Sequence, residues 1–161
     1  MKKPNFDLRK GMTGQQWQEV EDYYIEETSA IEIPDDLNPA TLAGLNADVA
    51  KLFTQARFDY AFIKRQYEKI KRQFKRAEKQ AYMAIKDMGK NDKEREGLIN
   101  KYLEDNKVFN HPVTIYDAVD IYEDRVLFME AVIDDIREKG NRIVTFNAAL
   151  KLDADATRQG A

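Results

Sequence analysis

From Leu42 to Met88, apolar or small side chains recur every three or four residues, at Leu42, Leu45, Val49, Leu52, Ala56, Tyr60, Ile63, Tyr67, Ile70, Phe74, Ala77, Ala81, Ala84 and Met88. That spacing places them all on one stripe of a single α-helix. No proline interrupts residues 40–88, so the helix can run about 49 residues, or roughly 74 Å at 1.5 Å per residue. Steps of three and four alternate except at Leu52, Ala56 and Tyr60, where two successive fours make a stutter that locally unwinds a supercoil. Coiled-coil-like packing follows. A rod of this length in a chain of 161 residues is expected to share its stripe with further copies of the chain.

Local signals bound the helices. Asn38-Pro39 starts the long one, because Asn caps free amides and Pro at the first helical position has no N–H to lose. Gly89 is suited to end it with a left-handed cap. A polar helix from about Asp92 to Glu104 follows, with Leu98, Ile99 and Tyr102 as its few apolar residues. Thr114, with Asp117 three residues on, opens a last helix. Its seam steps through Val126, Met129, Ile133, Ile136, Gly140, Ile143, Asn147 and Leu150, and ends near Lys151. Gly140 marks either a break or a close helix approach, and Asn147 either fixes register or faces solvent.

The fold class expected is all-α: a long helical hairpin of coiled-coil-like helices with a second C-terminal helix, assembled as an oligomer through Ile63, Tyr67, Ile70, Phe74, Ile136, Ile143 and Leu150. The organisation expected is a front part over 1–36, a single helical oligomerisation and binding domain over 37–152, and a loose tail over 153–161. In the front part the first 16 residues read as a flexible arm. A short helix around Trp17, Val20 and Tyr24 comes next, with Ile31-Glu32-Ile33 extended. These aromatics are interleaved with acids, so the segment either docks a partner or the chain's own basic helix, or packs its rings into a core.

Charge is segregated. Trp17 to Asp36 holds eight acids and no Lys or Arg, whereas Lys64 to Lys79 holds eight bases against Glu68 and Glu78, for a net +6 in a chain of net charge -3. A charged fraction of 34% suits long two-faced helices rather than a compact globule. No window has the eighteen consecutive apolar residues of a membrane span, and Met1-Lys2-Lys3-Pro4 leads into no signal-peptide core. With no cysteine in the chain, a cytoplasmic setting is expected, that of the host cell if the chain is phage-encoded.

Catalysis finds no constellation. His111 is the single histidine and stands beside Pro112 in a loop, Gly89-Lys90 lacks the upstream glycine of a phosphate loop, and neighbouring acids such as Glu123-Asp124 and Asp134-Asp135 diverge by about 100° on a helix. Asp153-Ala154-Asp155 lacks the Gly and distal Glu of a calcium loop. No enzyme, cofactor or metal is expected.

The basic stretch is the candidate site: Lys64, Arg65, Lys69, Lys71, Arg72, Lys75, Arg76 and Lys79. A solvated helix face usually intersperses Glu with Lys at four-residue spacing, and this one leaves six net positives together. A polyphosphate is the natural counterion, because each phosphate contact releases condensed cations. Tyr60, Phe62 and Tyr82 are candidate stacking surfaces for single-stranded bases.

The long helix with Lys64-Arg65-Gln66-Tyr67-Glu68-Lys69-Ile70-Lys71-Arg72, the polar excursion, Val113-Thr114-Ile115 and the last helix from Leu127 to Arg142 resemble phage recombination mediator proteins of the UvsY type. The likeness spans roughly Leu42 to Leu150 and lies in architecture and pattern. It implies a ring-like homo-oligomer that binds single-stranded DNA and helps load a RecA-like recombinase onto strands covered by single-strand-binding protein. The basic residues above would be phosphate contacts, with Arg137, Lys139 and Arg142 as weaker ones. The acidic aromatic segment, Trp17 to Ile33, has no match in that pattern. The alternative is a coiled-coil structural or assembly protein, a scaffold or chaperone, that binds no nucleic acid.

Overall fold

The computed structural model describes residues 3–4, 12–33, 38–88, 91–105 and 113–159. Four helices make up the described chain: α1 (Gly14–Ser29), α2 (Pro39–Ile85), α3 (Asp92–Asp105) and α4 (Ile115–Gln159), and no strand occurs among these residues. The fold is all-α. Gly89, His111 and Pro112 lie outside the described residues.

Each helix start has a side-chain cap for an amide that the helix itself leaves unpaired. Thr13 and Gln16 form a reciprocal capping box at α1. The Thr41 amide donates to Asn38 Oδ1 (2.9 Å), that of Glu94 to Asn91 Oδ1 (2.8 Å) and that of Asp117 to Thr114 Oγ1 (3.1 Å). After α1 the Ile31 and Glu32 amides bond back to the Thr28 and Ala30 carbonyls, so the chain leaves the helix through a tight turn, and residues 31–33 belong to no helix.

The chain divides into two compact units, one of Met1–Ala61 with Phe128–Ala161 and one of Phe62–Leu127. In the first, α1 is built into the core. Trp17, Val20, Tyr23 and Tyr24 are buried beside Leu42, Val49, Leu52 and Ala56 of α2 and Met129, Ile133, Ile136 and Ile143 of α4. Trp17 meets Phe128 edge-to-face at 5.7 Å. The aromatics of the acidic segment thus serve as core, and Glu19, Asp22 and Glu26 occupy its solvent side.

One buried acid organises this unit. Asp59, 5% exposed, accepts the Tyr24 hydroxyl at 2.6 Å and the Lys3 ammonium at 2.8 Å. A carboxylate so enclosed would carry a large desolvation cost without such partners. Burial first, and then the Asp59 carboxylate, push the Tyr24 phenol far above its ordinary pKa. Lys139 of α4 donates to the Thr28 carbonyl, placing a cation at the C-terminus of α1, whose last turn has no base of its own.

Two expectations need correction here, and one open alternative is resolved. The buried stripe of α2 passes through Asp59 while Tyr60 is half-buried, and at its far end it runs from Ala81 to Ile85, leaving Ala84 and Met88 exposed. Gly140 does not break α4: the helix continues through it, and a Cβ there would stand 3.4 Å from Val49 Cγ1, so the glycine marks a close approach to α2. Residues 153–159, expected as loose tail, belong to α4.

The seams expected to form a subunit interface are largely filled by the chain itself. Ile63, Tyr67 and Ile70 are buried, as are Ile136 and Ile143, while Phe74 and Leu150 are half-buried. In the second unit, Ala77, Ala81, Leu103 and Ile115 form a cluster on which Phe74, Ile99, Tyr102 and Tyr116 pack. Periodicity located the buried faces correctly but not their cover, which α3 and the start of α4 provide in this unit.

Candidate nucleic-acid interface

At 100° per residue, the eight basic residues from Lys64 to Lys79 fall within an arc of about 160° around α2. Ile63, Tyr67, Ile70, Ala77 and Ala81 are buried on the opposite side of the helix. Sequence order therefore becomes a two-faced cylinder in the second unit, apolar inward and cationic outward. Lys64, Arg65, Lys69, Arg72, Lys75, Arg76 and Lys79 are exposed. Lys71 is half-buried at the edge of the arc, where its ammonium lies 4.8 Å from the centre of the Tyr67 ring.

Pairing separates this face from the other basic residues. Among the described residues, none of Arg65, Lys69, Arg72, Lys75, Arg76 or Lys79 has a carboxylate at ion-pair distance. By contrast Arg95 pairs with Asp92, Arg137 with Asp134, Lys139 with Asp135 and Arg142 with Glu138, each on its own helix. The three weaker phosphate candidates, Arg137, Lys139 and Arg142, thus already hold acids, and they belong to the other unit. Glu68 and Glu78 are exposed, and Glu68 falls inside the arc. The Glu68 contribution to the basic face is made by its backbone, whose carbonyl accepts Arg72 Nε at 3.1 Å.

The rigidity of the face comes from beneath it. Tyr67 is 8% exposed, and burial, then the Glu123 carboxylate, raise its phenol pKa while Lys71 pulls the other way. Phase along α2 is fixed further on by Phe74, which meets Tyr116 edge-to-face at 5.2 Å, and Tyr116 in turn donates to Asn100 of α3. A rotation of α2 would break these contacts together.

The three aromatic residues considered for stacking separate. Tyr60 is half-buried and donates to Glu130 at 2.6 Å, Phe62 is half-buried, and Tyr82 is 49% exposed. Lys86, exposed one turn beyond Tyr82, extends the cationic face and was missed in the sequence because it follows the dense run. The four-residue step from Tyr82 was the signal for it.

No helix among the described residues is long and apolar enough to cross a membrane, and no group of three or more His, Asp or Glu side chains there is placed to hold a metal ion. Comparison with protein families, with curated proteins and with solved structures finds no match to this chain.

Proposed function

We propose that this protein is a non-enzymatic recombination mediator that binds single-stranded DNA along the exposed face of α2 and helps load a RecA-like recombinase onto strands held by single-strand-binding protein. One observation carries the binding step: an arc of cations, largely without acid partners, on a face held in place by a packed underside. Such a face gains from phosphate contacts by counterion release, and it reads no sequence. The recombinase and the single-strand-binding protein come from the family resemblance alone, and action beside them puts the protein in the cytoplasm.

Self-association belongs to the same proposal, with a changed surface. Val144 and Leu152 of α4 are 59% and 70% exposed and stand about 80° apart around the helix, so this face is better placed to meet a second copy than the filled seams. Several copies would present several basic faces to one strand and bind it with avidity.

The test is a charge reversal, Arg72→Glu, Lys75→Glu, Arg76→Glu and Lys79→Glu, in the full chain. All four side chains are exposed, so circular dichroism should stay as in the parent. Loss of oligonucleotide binding supports the proposal. Unchanged binding overturns it, and a parent that ignores oligonucleotides at low salt leaves the assembly-protein alternative in its place.

A further inference from the structure

We infer that Tyr82 is a base-stacking platform on the cationic face of α2, and that it makes this face prefer single strands to duplex. The inference rests on the nucleic-acid reading above. Of the chain's eight tyrosines, seven are engaged within the fold. Tyr24 and Tyr60 donate to carboxylates, Tyr23 accepts from Gln55, Tyr116 donates to Asn100, Tyr67 and Tyr122 lie under Lys71 and Arg125, and Tyr102 packs on the Ala77 cluster. Tyr82 has no such contact among the described residues, and 49% of it is exposed.

Its position gives the ring a use. Tyr82 follows Lys64 by 18 residues, which is five turns at about 100° per residue, so it stands in line with the basic arc. Lys79, three residues before, and Lys86, four after, are its neighbours on the helix surface, and both are exposed. An aromatic face between two ammonium groups fits one nucleotide unit, with the base on the ring and flanking phosphates on the lysines. A base can reach the ring only when unstacked from its own neighbours, which a duplex forbids. Phosphate contacts alone would treat both forms nearly alike.

The experiment measures anisotropy of a labelled oligo(dT) and of a duplex of equal length, for the parent, Tyr82→Ala and Tyr82→Phe. Tyr82→Ala should weaken single-strand binding about fivefold or more while duplex binding and the salt slope stay unchanged, because a stack is lost and no phosphate contact is. Tyr82→Phe should bind like the parent, since the ring and not the hydroxyl is used. An oligonucleotide carrying 5-iododeoxyuridine should photo-crosslink to the peptide containing Tyr82. Equal binding by Tyr82→Ala and the parent, equal weakness of the Ala and Phe variants, or crosslinks confined to other peptides would each overturn the role of Tyr82 and leave the basic face standing. A parent that binds no single strand at low salt overturns both.

Discussion

Replacing Gly140 with alanine should stabilise the protein, although the glycine sits at a close helix approach. Glycine inside a helix costs about 1 kcal/mol relative to alanine, and Gly140 lies well inside the 45 residues of α4. The added Cβ would meet Val49 Cγ1 at 3.4 Å, the near edge of ordinary van der Waals contact, so it displaces little. The gain should therefore be about 0.5–1 kcal/mol, or a rise in Tm of about 1–4 °C for a chain of this size. Gly140→Leu pushes three further carbons into the space that Val49 fills, and overpacking of that kind costs about 1–3 kcal/mol. Trimming the neighbour by Val49→Ala should relieve part of that cost, with a coupling of about 0.5 kcal/mol or more between the two changes. Urea unfolding followed by circular dichroism measures all four variants. A Gly140→Ala protein destabilised by more than about 1 kcal/mol would refute the ordinary contact distance to Val49, and single effects that merely add in Val49→Ala/Gly140→Leu would refute the close approach.

Two further outcomes follow from the cores of the two units. Tyr24 has its phenol pKa raised by burial and by Asp59, so the unfolded chain loses that proton near pH 10 while the folded chain keeps it. Its stabilising contribution is present below about pH 10 and is lost as pH rises above that value; Tyr24→Phe should flatten the alkaline fall in urea-derived stability, at a cost of about 1–3 kcal/mol at neutral pH. An alkaline fall as steep as the parent's would count against the buried pair. Ile63 is 1% exposed within one chain, so Ile63→Asp should abolish the folded circular-dichroism signal of the second unit. A folded monomer in light scattering would instead mean that the residue serves an interface between copies.

What the sequence disclosed was what depends on neighbours along the chain. Asn38, Asn91 and Thr114 act as caps, and of these Asn38 and Thr114 were legible because a cap needs only the next three residues. The Thr13/Gln16 box was equally legible by its spacing but was passed over within a stretch expected to be an arm. The basic arc was legible because residues three and four apart share a face whatever the tertiary structure. Asp59 was not, since an acid in a stripe reads as surface until its distant partners, Tyr24 and Lys3, are known. Nor does periodicity say what covers a stripe: the faces of Ile63 and Ile136 look the same in sequence whether a second copy or the chain's own helices pack on them.

The most direct test of single-strand binding through α2 is the salt dependence of oligo(dT) affinity for the parent and for the reversal at Arg72, Lys75, Arg76 and Lys79. For single strands the slope of log Kobs against log salt is about -0.7 per phosphate neutralised. The seven exposed cations of the face other than Lys64, Lys86 included, should give the parent a slope of about -5 per copy engaged. Removing four of these contacts should shrink the slope by about 3 and lower affinity at least a hundredfold at low salt, with circular dichroism unchanged. A parent slope near zero, or a reversed variant that binds with the parent's slope and affinity, would contradict it.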